Sequence, residues 1–178
     1  MIGYFSKETA SDLIKLGVYQ IIGGLIGVAF LIRLIIQTTG FNEITILFDL
    51  IIGIFFCYSI LSGWMCLKFN KNALILSLIN QCFQLPALYI SGLSFVYVAG
   101  FHLDIGIDLT ESLKINFDAG LSTFNLYIRM QSSAVLFKFN LIAFYLVYWI
   151  EKLRQQVKLE DAIRESDSIG EDQKQASQ

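Results

Sequence analysis

The stretch FHLDIGIDL, residues 101–109, alternates apolar and polar side chains over nine positions. That is the two-residue period of a β-strand with one apolar face. It follows about ninety residues whose apolar runs have the length of helices that cross a lipid bilayer. The fold therefore has to place strands and membrane-length helices in one small chain.

The chain has 178 residues, 55% of them hydrophobic, and a net charge of -2. Its mean hydropathy is +0.60. Globular domains carry about 45–50% apolar residues. Here the excess comes in long blocks, which indicates a membrane protein rather than a soluble core. No basic face is visible, so direct nucleic-acid binding is not expected. Cys57, Cys66 and Cys82 all lie in apolar blocks and make neither a disulfide framework nor a zinc spacing. No HExxH, GxSxG, P-loop, CxxC or dinucleotide-binding motif occurs, so no catalytic, cofactor or metal residue is assigned and an enzyme is not expected.

Four apolar blocks predict four transmembrane helices: Leu13 to Ile36, Ile44 to Leu67, Ala73 to Val98 and Ser133 to Ile150. The first lacks the short apolar core and cleavage site of a secretory signal and reads as an uncleaved span, capped by Thr9 or Ser11. With the N-terminus inside, nine Lys and Arg residues fall on the cytoplasmic side and four (Arg33, Lys114, Arg129, Lys138) on the outer side. This bias orients both termini to the cytoplasm of a bacterial inner membrane. The chain then divides into a cytoplasmic N-terminus (1–12), three spans (13–98), an extracytoplasmic loop (99–131), a fourth span (132–150) and a cytoplasmic tail (151–178).

FHLDIGIDL lies in that loop. SLKINFD (112–118) and LSTFNLYIRM (121–130) continue its alternation, with turn residues at Thr110-Glu111 and Asp118-Ala119-Gly120. A three-stranded antiparallel meander is expected. Phe101, Leu103, Ile105, Ile107, Ile115 and Phe117 share an apolar face; His102, Asp104 and Asp108 face solvent. Asp104, Asp108 and Glu111 could hold a cation, although a solvated sheet face is the simpler reading. One sheet cannot bury its own apolar face. Sheets meeting around a homo-oligomer axis are expected, with a lid over the same bundle as the alternative.

Within the spans, Arg33 and Asp49 lie at similar depth across a short hairpin and are expected to pair. Together with Lys138 they could instead line an outer vestibule. Ser77, Gln81, Gln84 and Ser91 recur at helical spacing on the third span, beside Asn80, while Asn140 enters from the fourth. Interhelical hydrogen bonding is the plain account. A hydrated cavity with a kink at Pro86 is the functional one. In the tail, Leu153, Val157 and Ile163 form a stripe for docking a soluble cytoplasmic partner, and the polar run from Ser166 is expected to be disordered when free.

Four spans, internal termini, a strand-rich outer loop and a helical tail resemble the small membrane subunit of the bacterial Kiwa anti-phage defence system. The likeness covers nearly the whole chain in outline, without a diagnostic motif. It implies a homo-oligomeric inner-membrane sensor that binds a soluble, DNA-binding partner subunit. The residues themselves leave two readings open: a sensor and scaffold, or a small ion channel with the third span lining its path.

Overall fold

The computed structural model describes residues 5–37, 43–70, 72–90, 93–110, 112–128 and 135–176. Their elements, in chain order, are α1 (Lys7–Gln37), α2 (Glu43–Leu67), α3 (Ala73–Gln84), β1 (Pro86–Ile90), β2 (Leu93–Asp108), β3 (Lys114–Ile128), β4 (Val135–Asn140) and α4 (Leu141–Ala176). The fold is mostly helical, with one small antiparallel sheet. Among the described residues, two helices are long and apolar enough to cross a membrane: α1, and α2 from Ile46 to Leu67. Ser91, Glu111, Arg129, Met130 and Ser133, used in the sequence reading, lie outside the described residues.

α1 and α2 form an antiparallel pair whose close contact comes from missing side chains. A Cβ on Gly17 would sit 2.7 Å from the carbonyl oxygen of Gly63, and one on Gly27 would overlap the Phe56 ring. Gly23 belongs to another contact: its Cβ would lie 2.6 Å from the Ala99 backbone in β2. The N-cap of α1 is Ser6, not Thr9 or Ser11, since Ser6 Oγ accepts the amide of Thr9 at 3.2 Å.

The expected third span stops halfway. α3 has 12 residues, about 18 Å at 1.5 Å per residue, against a hydrocarbon core of about 30 Å. Proline has no N–H to donate and disfavours helical backbone at the residue before it. At Pro86 the chain therefore leaves the helix for β1 instead of kinking within it. The expected fourth span is divided too: residues 135–140 are strand, and helix begins at Leu141. Asn140 makes the junction, its Oδ1 accepting the amides of Ile142 (3.0 Å) and Ala143 (3.2 Å) as an N-cap. Its own amide donates to Leu85 O at the end of α3 (3.0 Å).

The sheet has four strands in the order β1-β4-β2-β3, with a further β1–β2 pairing. The expected three-strand meander is corrected in two ways. Lys114 to Ile128, which covers the described part of both expected strands from Lys114 on, is a single strand, β3, with no turn at Asp118–Gly120, and β1 and β4 are recruited from the two expected spans. β2 is bent at a bulge between Val98 and Phe101, where Gly100 has φ +122°. Before the bulge β2 pairs with β1; after it, Asp104 to Asp108 pair with β4, which also pairs with β1. The three strands thus close a ring. β3 runs along the opposite edge of β2.

Tyr97 and Ala99 of β2 pack with Ile52 and Phe56 of α2, and Phe124 of β3 joins them. This part of the sheet rests on its own helices, the arrangement weighed as the alternative. Beyond the bulge the expected faces are reversed. His102 and Asp104 are 8% and 3% exposed, whereas Phe101, Ile115 and Phe117 are 60%, 62% and 73% exposed. The cause is the ring of strands: His102 and Asp104 face into a cavity lined also by Ala87 and Tyr89 of β1 and Lys138 of β4. Leu103 and Ile107 are exposed and Ile105 is half-buried.

At the other end, α4 returns along α1 and α3. Ile150 and Leu153 pack with Leu13, Leu16, Cys66, Ala73 and Leu74, and Val157 lies against this cluster. Leu153 and Val157 are therefore bundle contacts, not docking residues: their helical stripe continues that of Leu146 and Ile150 onto α1. Ile163 and Leu159 are exposed. The helix continues to Ala176, through the run expected to be disordered.

Candidate functional site

Two groups of polar side chains stand out, the first buried throughout and the second with Asp118 exposed at its edge. The first is a seam where α3 meets α1, α2 and β2. Ser77, Gln81 and Gln84 of α3, which the spacing puts on one face, are buried, and so are Asn80 beside them, Gln20 of α1 and Ser59 of α2. Ser77 Oγ donates to Gln20 Oε1 (3.2 Å), and Ser59 Oγ donates to the Gln20 carbonyl (3.1 Å). Asn80 Nδ2 donates to Ser59 Oγ (3.2 Å). The Tyr97 hydroxyl reaches Asn80 Oδ1 (3.0 Å) and Phe55 O (2.9 Å), and the Ala99 amide donates to Gln84 Oε1 (3.0 Å). Gln84 and Asn80 so fasten α3 to the bulged half of β2.

The seam is incompletely satisfied. Gln20 Nε2, Gln84 Nε2 and both amide atoms of Gln81 are buried without a partner among the described residues. Unpaired amides of this kind cost about 1–3 kcal/mol each. Towards the chain termini the seam ends at the apolar cluster of Leu13, Leu16, Leu74, Ile150 and Leu153. That cluster closes it.

The second group lies in the sheet. His102, Asp104, Asp118 and Lys138 line a cavity of about 270 Å³, together with Tyr89 and Thr123. The backbone sets this grouping: Asp104 pairs with Asp118 across β2 and β3, His102 with Gly120, and Lys138 with Gly106 across β2 and β4. His102 fits because Gly120 has no side chain; a Cβ there would lie 2.7 Å from the imidazole Cε1. Lys138 Nζ bonds Asp118 Oδ2 at 3.1 Å. This bond holds the Asp118 carboxyl below the usual carboxylate range. Burial pushes the Asp104 carboxyl up, opposed by His102 and Lys138.

Several expected sites lie elsewhere. Lys138 is a strand residue paired with Asp118, not a snorkelling span residue. Arg33 and Asp49 form no ion pair with each other. They are level across the helix pair, but α1 meets α2 through Gly24, Gly27 and Leu31, and Arg33 is two residues, about 200°, round from Leu31. Asp49 instead lines an apolar groove with Leu31, Ile35 and Ile46. Asp49 and Lys138 line separate cavities, so among the described residues no vestibule shared with Arg33 is seen. Of the acidic residues weighed as a cation set, Glu111 lies outside the described residues, Asp108 accepts the Thr110 amide (2.9 Å) at the strand end, and Asp104 lines the cavity with His102 and Asp118. His102 is buried, not solvent-facing.

Gln20, Ser59, Tyr97 and Asp118 are not among the site residues that the sequence pattern picks out. Gln20 was findable, as an amide within an apolar span. Asp118 was assigned to a turn and Tyr97 to a helix, so their partners could not be seen. The chain matches no known protein family, no curated protein and no solved structure.

Proposed function

We propose that this is a non-catalytic, homo-oligomeric sensor and scaffold of the bacterial inner membrane, with both termini cytoplasmic. In this reading α1 and α2 cross the bilayer, and α3 with the apolar start of α4 fills its inner half. The sheet occupies the outer half and the space beyond, where it registers an envelope event. α4 presents Leu159 and Ile163, both exposed, to a soluble partner. The resemblance to the Kiwa membrane subunit implies the same division of labour and phage infection as the event.

The observation that carries the reading is the junction at Asn140. β4 passes into α4 with no intervening residue, so the sheet and a helix of 36 residues are one mechanical element. A sheet displaced by an outer event has to move the helix. Copies of the chain are drawn together by the β3 edge, unpaired among the described residues, and by exposed Ile115 and Phe117.

The ion-channel reading has one observation in its favour, the unpartnered amides of Gln20, Gln81 and Gln84. The apolar cluster that closes the seam counts against a steady conducting path.

One experiment separates the two. The chain is purified in mild detergent with co-purifying proteins identified, and compared with a Leu159→Glu, Ile163→Glu double variant. The sensor reading expects the partner to be lost, the native mass retained and planar bilayers silent for both proteins. Steady conductance that disappears in Gln84→Leu would establish the channel instead, and partner capture unchanged in the double variant would remove the docking role of α4.

A further inference from the structure

We propose that His102, Asp104 and Asp118 bind a divalent transition-metal ion of the zinc class, and that Lys138 occupies the ion's electrostatic place when it is absent. The inference concerns the sheet alone and does not depend on the sensor reading.

Three observations carry it. One donor atom from each of His102, Asp104 and Asp118 lies within 4.8 Å of the others. Metal–ligand bonds of about 2.0–2.2 Å let donors sit up to roughly 4 Å apart, so side-chain rotation by under about 1 Å completes the set. Second, the imidazole is unsatisfied by the protein. Its Nδ1 is buried without a partner, while Nε2 stands 3.9 Å from Asp104 Oδ2, beyond hydrogen-bond reach. His102 is 8% exposed, so water does not freely solvate it either. Third, Asp104 is 3% exposed, and a carboxylate so buried needs a cation or a proton. Among the described residues the ammonium that lines the same cavity, Lys138, is bonded to Asp118 instead.

An ion here would bond one imidazole nitrogen and two carboxylate oxygens. That donor set suits Zn²⁺ better than Mg²⁺ or Ca²⁺, which take oxygen ligands. The adjoining cavity leaves room for a water in a fourth position. Binding would take Asp118 from Lys138, freeing an ammonium on the strand that leads into α4.

The test is isothermal titration of the full purified chain in detergent with Zn²⁺ alone, after chelation and dialysis. One ion per chain is expected, with affinity falling at least tenfold in His102→Ala and in Asp104→Asn. Lys138→Met should bind more tightly than the parent, because the competing charge is gone. This opposite sign guards against a variant that merely misfolds, and circular dichroism and native mass check each protein. Absence of stoichiometric heat in the parent would overturn the proposal. So would unchanged affinity in both the His102 and Asp104 variants when these are folded.

Discussion

Gly23→Ala should destabilise the protein by about 3 kcal/mol, although the same change in an exposed helix stabilises by up to about 1 kcal/mol. The new Cβ would stand 2.6 Å from Ala99 C, Ala99 O and Gly100 N. Contact between carbon atoms is optimal near 3.5–4.0 Å, so α1 and the bulge of β2 must separate by about 1 Å. The obstacle is backbone, which cannot swing aside, and overpacking of this kind costs about 1–3 kcal/mol. The shift also strains Ser122, whose hydroxyl donates to Gly23 O (2.9 Å) and accepts the Gly100 amide (2.8 Å). Those two bonds are worth about 1 kcal/mol each. With about 2–3 kcal/mol from crowding, about 1–2 from the bonds and about 1 returned by helix propensity, the net is near 3. The assay is reversible denaturant unfolding in detergent micelles, with Gly53→Ala as control. The nearest atom to a Cβ on Gly53 is Leu31 Cδ2 at 3.4 Å, so that variant should match or exceed the parent. A Gly23→Ala protein as stable as the parent would mean that α1 and the sheet do not touch as described.

Tyr97→Phe removes the hydroxyl whose one hydrogen is shared between Asn80 Oδ1 and Phe55 O; it should cost about 1–3 kcal/mol in the same assay, because a buried acceptor is left unpaired. Ile115→Asp with Phe117→Asp should reduce the native mass in detergent, and an unchanged mass would show that this exposed face is not shared between copies. Glu160 ties α4 to the start of α1 by accepting from Ser6 N (3.1 Å) and Thr9 Oγ1 (2.7 Å). Burial opposes its ionisation, but those hydrogen bonds outweigh it and hold its carboxyl below the ordinary value of 4.5. The contribution of this tie is therefore complete above that value and is lost as pH falls through the lower, folded one. Hydrogen exchange at residues 6–10 should accelerate over that acid range in the parent and show a weaker pH response in Glu160→Gln.

The two long helices could be read from the sequence because their apolar runs exceed what a strand needs. The run from Ala73 to Val98 reads as one helix for the same reason. ALILSL, PALYI and LSFVYV are equally apolar, and a continuous apolar run does not reveal whether it is helix or strand. Pro86 marked the change, but a kink and a helix end leave the same trace in sequence. The polar face of α3 was legible from its spacing, since Ser77, Gln81 and Gln84 recur on one side whatever follows. The inward turn of His102 and Asp104 was not. Alternation tells which residues share a face; which face is covered depends on the ring of β1, β2 and β4, and Val135 to Asn140 read in sequence as part of a span. Arg33 and Asp49 show a similar limit, because hairpin length fixes depth but not the azimuth about each helix.

The ring formed by β2, β1 and β4 also governs the order of assembly. During synthesis β1 emerges with only its three-residue pairing to β2 (Leu88 to Ile90 with Leu93 to Phe95), while its partners in β4, Val135 to Phe139, are made some fifty residues later. Until then one edge of β1 and the outer end of β2 stand open, and His102 and Asp104 have no cover. Such long-range closure is slow, and unpaired strand edges invite wrong partners. A nascent chain interrupted before residue 135 is thus a poor folding unit. Docking of the final helix and completion of the sheet become a single event, in which the last strand made is the one that seals the first.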